Sequence, residues 1–185
     1  MKLFGSTTSP FARHCRIALE QTQQPYELVA VDYGTSAKES PTQKVPYAQW
    51  RGRLLTDSST IIKMTRESAG QTFLASVEDF ECFTLATTLL DTAINLFLLE
   101  KSGVQAKEVD YLQRQAQRLQ TGLVALNEVV EPEQALTLDG HIRAVCFIDW
   151  ALMRERVDFD GLDNLTALLH QAQQHDVFQS TDPRL

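Results

Sequence analysis

The apolar and polar positions of the chain follow two patterns, and the change between them falls near residue 75. Before it, short apolar runs alternate with amphipathic segments, which is typical of a mixed α/β domain. The runs predict four strands, at residues 2–5, 26–31, 45–50 and 53–55. Helices are predicted from Ser9-Pro10 and from Asp57-Ser58, because Ser, Asp and Pro favour helix starts. The polar residues 34–43 between them predict a loop with room for a short helix.

After residue 76 the apolar positions have helical spacing, and no strand pattern appears. Four helices are predicted, beginning near residues 77, 109, 137 and 162. The apolar face of the first is predicted to carry Val77, Phe80, Phe83, Leu90, Ile94 and Phe97. The third is apolar on most sides and is therefore predicted to run through the middle of a helical domain. A linker is predicted at 68–71.

Composition narrows the classes of function. The chain has 185 residues, 43% of them hydrophobic and 22% charged, as in soluble globular proteins. Its net charge of −7 argues against a nucleic-acid partner, which would need a basic surface. No stretch approaches the roughly 20 apolar residues that span a bilayer, so no membrane partner is expected. The three cysteines, Cys15, Cys82 and Cys146, are far apart, which fits a reducing, cytoplasmic location and no metal site.

Three local features predict a binding site for a small peptide. Ser9 begins one helix, Asp57-Ser58 begins another, and Lys44-Val45-Pro46 leads into a strand. Helix N-termini carry unpaired N–H groups and partial positive charge, so they hold anions such as a carboxylate or a thiolate. An exposed strand edge offers backbone groups to an extended peptide.

The same residues resemble the landmarks of cytosolic-type glutathione S-transferases. The resemblance rests on four segments in the expected order: residues 3–20, Lys44-Val45-Pro46, residues 55–62, and residues 164–169 with Phe178. It implies a thioredoxin-like N-terminal domain (1–70) followed by an all-helical C-terminal domain (76–185). It also implies a homodimer that binds glutathione as co-substrate mainly in the first domain. The family adds the glutathione thiolate to a small electrophile held in a cleft between the domains.

Carried over by position, the resemblance gives each landmark residue a role. Ser9 takes the catalytic position, where its hydroxyl would donate to the thiolate. Val45 would pair its backbone with the cysteinyl part of glutathione, and Pro46 would be a cis proline. Asp57 and Ser58 would hold the γ-glutamyl ammonium and carboxylate of glutathione. Lys44 would help to bind an acidic group of the ligand.

Other readings stay open at this stage. Ser9 is also a good plain helix cap, Asp57 is also a typical solvated carboxylate, and Cys15 fits core packing. A non-catalytic binding or regulatory protein on the same scaffold is the main alternative. It is motivated by departures from the family pattern at residues 40–43 and 137–140. A glutathione-dependent isomerase or dehalogenase is a third possibility, while a thiol reductase would need Cys where Ser9 stands.

Overall fold

The computed structural model describes residues 1–31 and 38–185, which form two compact units. The first unit contains Met1–Phe73 together with Gln173–Leu185, and the second contains Leu74–Ala172. Residues 34–37 of the predicted polar loop lie outside the described residues, and Lys38 and Glu39 have helical backbone.

The first unit is built on a four-stranded mixed sheet. Its strands are β1 (Lys2–Gly5), β2 (Glu27–Ala30), β3 (Tyr47–Trp50) and β4 (Arg53–Leu55). They lie in the order β2-β1-β3-β4, with β1 parallel to β2 and antiparallel to β3, and β3 antiparallel to β4. The strand predicted from residue 45 begins two residues later, because Pro46 has no N–H to donate to the sheet.

Two helices complete the core of this unit, α1 (Pro10–Gln21) and α2 (Ser58–Ser68). They pack on each other, and their apolar side chains meet the inward side of the sheet. The core is made of buried side chains from β1, β3, β4 and the two helices, with the partly buried Leu28 of β2 packed against them: Leu3, Cys15, Ala18, Leu19, Ala48, Leu55, Ile61 and Ile62. This arrangement confirms the predicted thioredoxin-like domain.

A short last helix, α7 (Asp176–Ser180), packs on α1 within the first unit. Arg13 is 2% exposed, and its guanidinium donates to the Phe178 carbonyl at 2.8 Å and stacks on the Phe178 ring at 3.8 Å. Arg16 donates to the carbonyls of Ser180 and Thr181, both at 3.2 Å. The sequence-based boundary had placed this segment in the second domain; these long-range bonds to α1 place it in the first unit.

Replacing Arg13 with methionine is expected to lower the free energy of unfolding by about 1–3 kcal/mol, because the buried Phe178 carbonyl loses its donor. Urea unfolding measures the effect. The matched variant is Arg16→Met, because the Arg16 bond to the Ser180 carbonyl is exposed and its bond to the carbonyl of the buried Thr181 is only partly buried. Water can replace the exposed bond, so the cost should stay below about 1 kcal/mol. Equal costs for the two variants would contradict the assignment of the anchor to Arg13.

The regular elements of the second unit, residues 74–172, are all helices. Its helices are α3 (Val77–Lys101), α4 (Asp110–Val129), α5 (Asp139–Met153) and α6 (Asp163–Ala172), with 3₁₀ turns at Ala106–Glu108 and Pro132–Gln134. Every residue of α5 from Asp139 through Ala151 is buried, and α3 packs against α5 and α4. The predicted all-helical domain with a central apolar helix is confirmed.

The predicted apolar face of α3 is wrong at its first turn. Val77 is 73% exposed and Phe80 is 51% exposed. The predicted Phe83 and Leu90 are buried, and the other buried side chains follow a neighbouring stripe: Asp79, Cys82, Ala86, Leu89, Thr92 and Ala93. The stripe begins at a charged residue, which an apolar pattern does not reveal.

Helix α3 is also long and apolar enough, by length and composition alone, to cross a membrane. Its best 18-residue window has a mean hydropathy of 1.6, and 44% of that window is buried inside the protein. The sequence-based expectation that no stretch comes near this threshold is therefore corrected. Helix α3 packs against α4 and α5, and the core helices of globular proteins can be equally long and apolar. Its length and hydropathy are therefore weak evidence for a membrane span.

The start of α5 is capped from a distant part of the chain. Leu138 occupies the N-cap position and supplies no side-chain bond, whereas the Gly140 N–H donates to Asp79 Oδ1 at 2.7 Å. Asp79 is held in turn, because its own N–H donates to Ser76 Oγ at 3.1 Å. The departure from the family pattern at 137–140 thus leaves α5 with a cap, supplied by α3 instead of by its own first turn.

His141 gives the second unit a pH dependence. Burial lowers the pKa of His141, an effect that the Glu131 carboxylate opposes, and Nε2 accepts from the Glu131 N–H at 2.9 Å. As the pH falls, the unfolded chain therefore protonates His141 at a higher pH than the folded protein does. The contribution of neutral His141 to the free energy of unfolding is complete above about pH 6.5 and is lost below it. We expect the urea concentration at the unfolding midpoint to decrease when the pH is lowered from about 7.5 to about 5.5. The decrease should be smaller in His141→Gln. An equal fall in the variant would contradict this role.

Candidate functional site

The start of α1 presents the Ser9 hydroxyl. Ser9 is the N-cap residue, with φ −79° and ψ 121°, and its Oγ accepts from the Ala12 N–H at 3.3 Å. Pro10 follows at the first helical position, where the missing N–H costs nothing. A hydroxyl has one donor and two acceptor sites, so the cap bond leaves the Ser9 O–H to donate elsewhere. The side chain is half-buried and stands where the helix dipole favours an anion.

The strand opening at Val45 and Pro46 lies beside this helix start. The Val45–Pro46 peptide bond is cis, Pro46 is buried and Val45 is half-buried. A Cβ on Gly5 would lie 3.1 Å from Ala12 Cβ and 3.7 Å from Pro46 Cβ, so the end of β1 brings the two segments together. Only a residue without a side chain leaves that space open.

Val45 stands just beyond the sheet ladder. The register between β1 and β3 ends at the pair Phe4 and Tyr47, and Val45 precedes it by two residues. Backbone groups at such a position are placed to pair with an extended peptide.

The start of α2 is capped by Asp57, with φ −141° and ψ 144°. Its Oδ1 accepts from the Ser59 N–H at 2.8 Å, and the side chain is exposed. Ser58, the first helical residue, is 4% exposed, and its carbonyl accepts from Cys15 Sγ on α1 at 3.8 Å. The start of α2 thus makes a buried contact with the middle of α1.

Lys44 is exposed and has no ion-pair partner among residues 1–31 and 38–185. The loop before it is tied to the start of α2, because Thr42 Oγ1 bonds Ser40 Oγ at 3.0 Å and donates to the Thr56 carbonyl at 3.4 Å. The altered loop at residues 40–43 therefore still lies beside the residues predicted to bind the γ-glutamyl end.

Tyr47 is a residue that the sequence argument missed. Its hydroxyl donates to Glu39 Oε2 at 2.8 Å, and its ring stacks on Phe4 with centroids 4.7 Å apart. Burial, together with the Glu39 carboxylate, raises the pKa of Tyr47 to about 12. Tyr47 therefore ties Glu39 to β3. Its position directly after Pro46 is the sequence feature from which it could have been predicted as a site residue.

The three thiols have no place in the site chemistry. Cys15, Cys82 and Cys146 are reduced and buried. Burial and the nearby Asp79 charge raise the pKa of Cys82 to about 12, which keeps it protonated. Within the described parts of the chain, no three His, Cys, Asp or Glu side chains are grouped as metal ligands.

Residues 3–72 match the family model described as "Glutathione S-transferase, N-terminal domain". Residues 3–72 therefore form an N-terminal domain of the glutathione S-transferase type. Ser9, Val45, Pro46, Asp57 and Ser58 all lie inside the matched region. A search of curated proteins finds no match.

Solved structures of glutathione S-transferases share the fold over the whole chain. A glutathione transferase family member from Pseudomonas fluorescens Pf-5, with bound glutathione, is 19% identical with a TM-score of 0.84, covering 100% of this chain and 99% of its own. A glutathione S-transferase from Methylobacillus flagellatus KT, also with glutathione bound, is 20% identical with a TM-score of 0.83, covering 98% of each chain. Gtt2 from Saccharomyces cerevisiae is 17% identical, with a TM-score of 0.80 and coverage of 98% and 100%. At these identities the likeness shows the fold.

Proposed function

We propose that the whole chain is a glutathione S-transferase, which binds glutathione in its first unit and adds the thiolate to a small electrophile. The observation that carries the proposal is Ser9: a half-buried hydroxyl at a helix start, with its proton free to donate, inside the matched domain. We propose Ser9 as the catalytic residue.

The energies of these contacts are sufficient for the chemistry. A free thiol has a pKa near 8.5, so a fall of about two units needs roughly 2.7 kcal/mol of preferential thiolate binding. A hydrogen bond to a charged acceptor supplies about 1.5–3 kcal/mol. The dipole of α1 adds about 0.3–1 kcal/mol. Together they bring the thiolate into the physiological pH range.

Glutathione itself would be held along the segments that surround Gly5. The Val45 backbone is placed beyond the sheet ladder to pair with the cysteinyl amide, next to the buried Pro46. The exposed Asp57 carboxylate would bind the γ-glutamyl ammonium, and the start of α2 at Ser58 its carboxylate. The Lys44 ammonium, which has no ion-pair partner among the described residues, is available to a further acidic group of the peptide.

The experiment that tests the proposal is calorimetric titration of the reduced protein with glutathione. We expect saturable binding between the micromolar and low millimolar ranges, followed by turnover in a screen of electrophiles. No heat, with no thermal stabilisation at several millimolar ligand, would reject this site. Binding without turnover of any electrophile would favour the alternative, a non-catalytic binding or regulatory protein on this scaffold.

Asp57→Asn isolates the charge at the proposed γ-glutamyl subsite. Asn caps a helix as well as Asp, so the fold should be kept while the charge is lost. We expect glutathione affinity to fall about tenfold, the loss of about 1.4 kcal/mol of charge-assisted binding. Unchanged affinity in the calorimeter, with an unchanged melting temperature, would remove Asp57 from the site.

A homodimer in the cytoplasm completes the proposal. The exposed apolar side chains at the start of α3, Val77 and Phe80, support a protein surface that is covered in solution. Three buried, free thiols support a reducing compartment. Sedimentation of the purified protein tests the dimer, and a single species at the monomer mass would reject it.

A further inference from the structure

A groove lies at the end of the sheet where β1 and β2 begin. Its volume is about 930 Å³, and it is a shallow groove that is largely open to solvent. The side chains that matter for its chemistry are Lys2, Tyr26, Trp50, Arg51, Arg53 and Leu54. Lys2, the first residue of β1, lines this groove, whereas the chain reaches Ser9 after the last residue of β1, Gly5. The strand between Lys2 and Gly5, about 10 Å long, therefore separates the two sites.

The groove carries uncompensated positive charge. Lys2 pairs with Glu27 at 3.5 Å. The guanidinium groups of Arg51 and Arg53 have no ion-pair partner anywhere in the part of the chain that the structure describes, and both residues are exposed. The net charge of the chain is −7, so a groove with two such cations is locally positive on a protein that is negative as a whole.

The hairpin between β3 and β4 holds both cations at the same end of the sheet. Trp50 and Arg53 are directly opposite in the register, and Arg51-Gly52 forms the two-residue turn with φ 48° and 76°. The Arg51 guanidinium stacks over the Trp50 ring at 4.5 Å. The stacking fixes Arg51 before any ligand arrives, which reduces the entropy lost on binding.

We propose that this groove binds a phosphate monoester that carries a planar ring. A phosphate monoester has a charge of about −1.5 to −2 at neutral pH, which matches two unpaired guanidinium groups, whereas a single carboxylate matches one. The half-buried ring of Tyr26 and the 43% exposed Leu54 supply apolar surface for the ring, beside the Trp50 ring over which Arg51 stacks. The site is independent of glutathione and of Ser9.

The probe is AMP, which is titrated into the protein at constant ionic strength. Binding is followed by calorimetry and by the NMR resonance of the Trp50 indole N–H. The Trp50→Phe variant assigns that resonance, because the signal is missing from its spectrum. We expect saturable binding with a Kd near or below about 1 mM and a shift of that resonance. Arg51→Gln and Arg53→Gln should each weaken binding at least about fivefold. Arg118→Gln, an exposed arginine on α4, is the matched control and should change it less than about twofold.

Adenosine and inorganic phosphate test the two halves of the ligand. Each should bind several times more weakly than AMP, because each lacks one of the two contacts. Absence of saturable AMP binding up to about 5 mM would overturn the proposal, as would equal binding by phosphate alone or by adenosine alone. Equal losses in the Arg118→Gln control would also overturn it, since they would show attraction by net charge and no site.

Discussion

Replacing Ser9 with alanine should lower kcat/KM for glutathione conjugation at least about tenfold, the equivalent of 1.4 kcal/mol of transition-state stabilisation. The reason is that the thiolate loses the hydroxyl donor at the start of α1. The pKa of bound glutathione, read from thiolate absorbance against pH, should rise towards that of the free thiol. Unchanged kinetics and an unchanged thiol pKa would reject the role of Ser9.

The same substitution also removes a helix cap, which costs about 1 kcal/mol of stability whatever the chemistry. Ser76→Ala is the matched control, since Ser76 caps α3 through the same kind of bond, from the Asp79 N–H at 3.1 Å. We expect both variants to melt at lower temperature and only Ser9→Ala to lose activity. Equal losses of activity would mean that capping alone explains the effect.

Gly140→Ala should destabilise the protein by about 2–4 kcal/mol, although alanine normally favours a helix by about 1 kcal/mol. The added Cβ would lie 2.7 Å from the Asp79 carbonyl oxygen and 2.9 Å from both Asp79 Oδ1 and Cys82 Cβ. Since one of these is backbone and one is the acceptor of the α5 cap, nothing can move without separating α3 from α5 or breaking the 2.7 Å bond. Urea unfolding measures the cost.

Gly122→Ala in α4 is the control for this prediction. Its Cβ would meet only the methyl end of the Leu89 side chain, which can rotate away. The helix propensity of alanine should then offset most of the clash, for a net change within about 1 kcal/mol. A Gly140→Ala protein as stable as the Gly122→Ala protein would contradict the close packing of α3 on α5.

The parts of the fold that local sequence rules could predict are those whose cause is local. Ser9 and Asp57 are helix caps in the structure because their side chains reach N–H groups two or three residues ahead. The turn at Arg51-Gly52 follows from backbone conformations that two neighbouring residues adopt. Such features depend on a few successive residues, so a single sequence contains all the information they need.

The parts that were missed depend on residues far apart in the chain. The buried stripe of α3 begins at Asp79, whose burial makes sense only once Gly140, 61 residues later, is known to donate to it. Val77 and Phe80 fit a helical pattern equally well and are exposed. Arg13 looks like a surface residue until Phe178 is placed against it, 165 residues away.

The residue types of the candidate site could be predicted from the sequence, whereas their proximity is seen only in the structure. Ser9 and Pro46 were separate signals until Gly5 was seen to hold Ala12 and Pro46 within van der Waals reach. Tyr47 was absent from the sequence argument because its role lies in a bond to Glu39, which no motif encodes.

The place of residues 173–185 in the first unit has a consequence for synthesis on the ribosome. Leu74–Ala172 is one continuous stretch, so the helical unit has all of its residues as soon as that stretch has left the exit tunnel. The first unit lacks the Phe178 carbonyl and ring, both of which contact Arg13, until α7 has also emerged. Domains usually complete in order from the N-terminus. Here the unit whose synthesis begins first is completed last, because its sheet and first helices are made before the segment 173–185 that packs on them.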